Sequence, residues 1–117
     1  MATESNHRKQ ADHNQACIDA LDAAQFPDWA VTMHFYKAVH LTEVLFLNHK
    51  VVGKRNDHQL RNQLIKTNYP SLWYDYSDLL KLSALARYHC FQISTKQLDE
   101  AKILLTRIES AIVAMLK

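Results

Sequence analysis

Glycine and proline are almost missing from this chain. Its 117 residues hold one glycine, Gly53, and two prolines, Pro27 and Pro70. Sheets and tight hairpins draw on glycine for turns at positive φ, and helix interiors exclude both residue types. So few chain breakers argue for few turns and long helices. Cysteine is scarce too. Cys17 and Cys90 lie far apart, without metal-ligand spacing, and both fall in helical stretches where buried free thiols are expected. No apolar run approaches the roughly 20 residues of a membrane span. The polar run Met1–Gln10 offers no apolar core of a secretion signal. A cytoplasmic location with no membrane partner is therefore expected. A large excess of one charge is also missing: the formal net charge is +2, too small by itself to imply a polyanion.

What is present is a hydrophobic fraction of 48% with 22% charged residues, ordinary for a folded globular chain. The length suits one domain, residues 1–117, with residues 1–6 expected to fray. A weak helix is expected from about His7 to Ala24, with Ala11, Ile18 and Leu21 on one stripe and a polar N-terminal half extending past the core. Pro27, followed by Asp28, opens a helix that runs to Asn48 and is apolar nearly all round. Such a helix is surrounded by others, so it should be central. His49–Arg55 reads as a loop, followed by a short helix over about Asn56–Lys66. Pro70 opens a long helix to about Ile93, with Leu72, Tyr76, Leu79, Leu82, Ala86 and Phe91 on its buried face. Ser94 and Gln97 match a capping box for a last helix ending near Leu116. Leu98, Ala101, Leu105, Ile108, Ile112 and Met115 recur along it at helical spacing. Four long helices and one short one, joined by short loops, make an all-α, antiparallel up-and-down bundle of four or five helices.

Three constellations stand out. Trp29, Met33, Tyr36, His40, Glu43 and Leu47 share one face of the central helix. Tyr36, His40 and Glu43 interrupt its apolar character. Buried without partners they would cost a few kcal/mol each, so they are a cross-helix hydrogen-bond cluster, the lining of a site, or an exposed stripe. The second is the basic stretch Lys50–Lys66. It holds Lys50, Lys54, Arg55, Arg61 and Lys66 against Asp57, and places His58 and Arg61 on one side of the short helix. It suits either a solvated face or a phosphate contact. The third is Arg87, with Tyr88 beside it, late in the long helix, where an arginine between apolar turns bonds carbonyls or a carboxylate.

Other chemistries find no support. There is no Gly-rich phosphate loop and no nucleophile elbow. A di-iron bundle needs Glu-x-x-His on paired helices, whereas this chain has the reverse order, His40-x-x-Glu43, once. Cys90 and His89 are adjacent on a helix and diverge. No metal and no cofactor are expected.

Asp28-Trp29-Ala30, Phe35-Tyr36-Lys37-Ala38-Val39-His40, His58-Gln59-Leu60-Arg61, Leu79, Leu82-Ser83 and Ala86-Arg87-Tyr88 resemble small bacterial HEPN-like proteins over about residues 27 to 90. The resemblance implies an up-and-down helical bundle, a homodimer, RNA or nucleotide as ligand, and a nucleotidyltransferase partner in toxin–antitoxin or defence systems. Active ribonucleases of that family carry an Arg-x4–6-His motif late in the chain. Here Arg107 has no histidine after it, and Arg87 is followed too closely by His89. Arg8 and His13 have that spacing but lie in the weak first helix. This departure weighs against an enzyme. The expectation is a HEPN-like binding or dimerisation module whose Tyr36, His40, His58, Arg61, Arg87 and Tyr88 line one polar cleft. Two alternatives stay open. One is a metal-independent ribonuclease, with His40 or His58 as base and Arg61 or Arg87 stabilising the transition state. The other is a structural or interaction protein with no small ligand, marked by an exposed apolar stripe on the last helix.

Overall fold

A computed structural model of the chain describes residues 2–88 and 92–117. Among them are five helices and no strand: α1 (Glu4–Ala20), α2 (Pro27–Asn48), α3 (His58–Asn68), α4 (Pro70–Tyr88) and α5 (Thr95–Met115). The starts follow local chemistry. Pro27 and Pro70 are each the first residue of a helix, where a missing N–H costs nothing. The Asp57 carboxylate accepts the Leu60 N–H at 2.8 Å. Ser94 and Gln97 form the reciprocal capping box, with bonds of 3.1 and 2.9 Å.

The cross-helix contacts give the topology. Gln15 meets Lys37 and His7 meets His40, so α1 and α2 are antiparallel. Phe46 packs on Tyr69 and Tyr36 meets Arg87, so α4 reverses α2. Asp75 pairs with Arg107 at 3.0 Å, within an antiparallel α4–α5 pair. The bundle is therefore up-down-up-down, with α3 a short insertion against α4. α2 is central as its composition required: it touches α1, α4 and α5. Phe35, Leu45, Phe46, Tyr76, Leu79, Ile65, Ile108 and Ile112 form the dry core. Every α5 stripe position from Leu98 to Ile112 is buried, and Met115 is half-buried.

Several expectations are corrected. The N-terminus does not fray to residue 6. Thr3 caps α1 through a reciprocal box with Asn6, so the helix starts at Glu4, and it ends at Ala20 rather than Ala24. Its N-terminal half does not extend past the core. It lies along α2, with Ala11 and Asn14 buried. The short helix starts at His58, because Asp57 is its cap. The long helix was expected to reach Ile93, but Gln92 and Ile93 are not helical. His89, Cys90 and Phe91 lie outside the described residues. The Cys17 thiol is half-buried rather than buried. Nor does α5 carry a continuous apolar stripe: Ile103 and Val113 are exposed, but Thr106, Arg107 and Ser110 lie exposed between them. No described helix is long and apolar enough to cross a membrane.

α2 also buries polar groups, three of them answered one turn back. Thr32, His34 and Thr42 bond carbonyls one turn back, Asp28, Ala30 and Ala38, at 2.8, 2.6 and 2.7 Å. The buried Lys37 ammonium joins three helices through Gln15 at 2.8 Å and Glu109 at 2.7 Å.

The core stripe of α5 gives a direct stability test. Ile108→Ala removes a fully buried side chain and is expected to cost about 2–5 kcal/mol. Val113→Ala, at an exposed site, should stay within about 0.5 kcal/mol. Urea unfolding followed by circular dichroism measures both.

Candidate functional site

The polar residues of α2 face the loop and helix that follow it. Glu43 is 6% exposed. Its carboxylate accepts the Arg55 Nε–H at 2.8 Å on one oxygen and the Arg61 Nε–H at 3.2 Å on the other. A buried carboxylate needs such partners. Arg55 also donates to the carbonyls of Val51 and Gly53, at 3.3 and 3.2 Å, and its guanidinium lies over the Phe46 ring at 4.9 Å. Arg61 donates to the Arg55 carbonyl at 3.1 Å and to His58 Nδ1 at 3.3 Å. The fork thus ties the interhelical loop to α2 and α3. The sole glycine sits inside that loop. Gly53 has φ of 145°, a conformation that L side chains rarely adopt, which favours glycine there, and a Cβ would also crowd Leu64 Cδ1 at 3.1 Å.

Beside the fork, His7 of α1 meets His40 of α2, Nδ1 to Nδ1, at 2.9 Å, with ring centroids 5.2 Å apart. One nitrogen must donate and the other accept, so the contact requires at least one ring to be neutral. Burial above all holds His40 below the ordinary imidazole value, helped by His7 and Arg61 and opposed by Glu43. His7 is held low by burial too, with Glu43 opposing and Arg55 and Arg61 assisting. His58 is lowered by burial and by the charges of Arg61 and Arg87. His7, His40, Glu43, Arg55 and Arg61 line a cleft of about 600 Å³ that also takes in Lys54 and Asn56. Three cations, Lys54, Arg55 and Arg61, stand there against the one carboxylate of Glu43. Among the described residues Lys54 has no side-chain partner. Arg61 is different: three of its five N–H donors are taken by Glu43, His58 and a carbonyl, which makes it a strut more than a free clamp.

A second cleft of about 380 Å³ opens further along α2, lined by Asp28, Trp29, Thr32, Tyr36, Ala86 and Arg87. Arg87 donates to the hydroxyls of Tyr36 and Tyr88 at 3.2 and 3.0 Å, and to the Ser83 carbonyl at 3.3 Å. Its guanidinium lies over the rings of Phe35, Tyr36 and Tyr88 at 5.4, 5.5 and 4.6 Å.

The six expected residues therefore fall in two adjoining places, not in one cleft. His40 and Arg61 line the first. Tyr36 and Arg87 line the second, with Tyr88 beside them. His58 sits between: it bonds Arg61, and its ring lies 5.6 Å from Phe35, whose ring also carries Arg87. Near Arg61 lies the buried Tyr76 hydroxyl, and burial pushes its phenol far up. No group of three or more His, Cys, Asp or Glu among the described residues is placed to hold a metal ion.

His7 was missed from the sequence because α1 looked weak. Its signal was present: His7, Ala11, Asn14 and Ile18 follow one another at helical spacing, and the two middle ones are buried. In the sequence Arg55 is one of a basic run that suits either a solvated face or a phosphate contact. Nothing local distinguishes it from the exposed Lys54; only the fold places it against Glu43. The chain matches no family model, no curated protein and no solved structure.

Removing Glu43 takes the counter-ion from two largely covered arginines. Glu43→Ala is expected to cost about 3–5 kcal/mol in urea unfolding, and Gly53 to Asn56 should become accessible to protease. Protonation supplies a second test. His7, His34, His40 and His58 are all held below 6.5 in the fold. As pH falls past that value the unfolded chain takes up protons first, so stability present above it is lost as pH drops towards the lowered folded values. Thermal unfolding should therefore show a lower Tm at pH 5.5 than at pH 7.5. The paired substitution His7→Asn with His40→Asn should shrink that difference; an unchanged difference would exclude the pair as its source.

Proposed function

We propose that this chain is a HEPN-like helical binding module that holds a phosphate-bearing ligand, a nucleotide or a stretch of RNA, in the cleft between His40 and Lys54. The observation that carries this is the charge arrangement of the cleft. Three cations stand over one carboxylate, next to two imidazoles, His7 and His40, held towards their neutral forms. Lys54 lies exposed at the rim. Such a surface attracts phosphate and supplies N–H donors to its oxygens. Self-association as a homodimer, a nucleotidyltransferase partner and a bacterial cytoplasmic setting belong to the same proposal through the family resemblance.

One observation favours a second reading, a metal-independent ribonuclease. The bonded His7–His40 pair puts a proton donor and a proton acceptor side by side near guanidinium groups, which is what transfer of a 2′-hydroxyl proton and stabilisation of a phosphorane require. Against it, His58 Nδ1 is held by Arg61, and Arg61 is tied to Glu43, His58 and the Arg55 carbonyl. Binding without cleavage is thus the better-supported function.

Fluorescence anisotropy with a labelled single-stranded RNA 12-mer tests both. Binding should weaken steeply with salt, and Lys54→Glu should weaken it further and flatten the salt slope by about one charge. Equal affinity of Lys54→Glu and the parent chain, or no binding at low salt, would overturn the proposal. Gel analysis of the same RNA decides the second reading: cleavage by the parent chain that is lost in His40→Ala establishes it, and intact RNA in both removes it.

A further inference from the structure

The second cleft differs in chemistry from the first. Its lining includes two aromatic rings, Trp29 and Tyr36, and the one cation it holds, Arg87, is already engaged by three rings and two hydroxyls. Its acid, Asp28, pairs with no side chain among the described residues and would repel a phosphate. Trp29 is 57% exposed and Tyr88 is 68% exposed. Large aromatic faces turned to solvent beside a guanidinium plane form a surface on which a flat ring stacks. The bonds from Arg87 to the Tyr36 and Tyr88 hydroxyls hold those rings in place before any ligand arrives.

Position links the two clefts. Trp29, Met33, Tyr36 and His40 lie on one stripe of α2. At a rise of about 1.5 Å per residue, Tyr36 and His40 are about 6 Å apart along the axis, and Trp29 and His40 about 16 Å. The stripe begins at the aromatic cleft and ends at the cationic one, with His58 and Phe35 between them.

We propose that the Trp29–Tyr36–Arg87 cleft is a stacking slot for an unpaired nucleobase of a single strand that runs along α2 with its phosphates towards Lys54. This rests on the phosphate-binding reading of the first cleft and adds the ligand's form: single-stranded, with a base turned inward. A free phosphate or a base-paired duplex would leave the slot unused, since the bases of a duplex are stacked on one another and not available to Trp29.

The test uses the full chain in a Trp73→Phe background, so that Trp29 is the one remaining tryptophan. It is titrated with an oligocytidylate 12-mer and, separately, with inorganic polyphosphate of similar charge. Oligocytidylate should quench the Trp29 emission and polyphosphate should not. Trp29→Ala should weaken oligocytidylate roughly tenfold, within the range of a single base stack, and leave polyphosphate affinity unchanged. Trp29 is exposed, so the substitution should not disturb folding, and circular dichroism checks this. Equal loss for both probes, or no loss for either, overturns the slot while the phosphate cleft stands. No binding of either probe overturns the phosphate reading and the slot with it. Light scattering adds one further outcome. A parent dimer that becomes a monomer on Trp29→Ala would make this face a subunit contact, and the slot would be rejected.

Discussion

The Glu43 carboxylate accepts Arg55 on one oxygen and Arg61 on the other, and much of the polar side of the molecule depends on that fork. Arg55 carries the loop carbonyls of Val51 and Gly53, and Arg61 carries the Arg55 carbonyl and His58. One acid between two guanidiniums therefore fixes the course of the chain from α2 to α3. It also leaves positive charge in excess. A neutral residue at that position would have to leave both arginines in water, and the loop would lose the bonds that hold it to the core.

The attachment of α1 follows a different pattern. Among the helices it packs on α2 alone, and many of its contacts are polar: His7 to His40, Gln15 to Lys37, Glu4 to Asn48. Apolar burial along it is modest, with Ala11 at the centre and Ile18 and Leu21 at its C-terminal end. Its N-terminal half is also one wall of the cationic cleft. The wall that contributes His7 is thus held largely by polar contacts, whereas the floor, α2, is the most deeply packed element of the chain.

The two clefts differ in the chemistry they present. One presents cations and neutral imidazoles, the other aromatic faces and a guanidinium that is already committed. Both are built on the stripe of α2 that faces away from the core centre. That stripe combines the three roles its sequence allowed: Glu43 is a buried cross-link, Tyr36 and His40 line clefts, and Trp29 is exposed.

The sequence by itself determined the helical class, the central place of Pro27–Asn48, and the cap at Ser94. These follow from local rules: breaker residues, apolar periodicity and side chains that bond their own backbone. It also marked Tyr36, His40 and Glu43 as residues in need of partners, because burying them unpaired would be costly. Who those partners are was decided by tertiary structure. Arg55 and Lys54 are neighbours of the same charge, yet one is turned in against Glu43 and the other stands in solvent. His7 lies 33 positions from His40 and meets it because α1 folds back along α2. Local patterns report which face of a helix is buried. They carry no record of which distant side chain arrives there, since that depends on loop lengths and on how the helices pack.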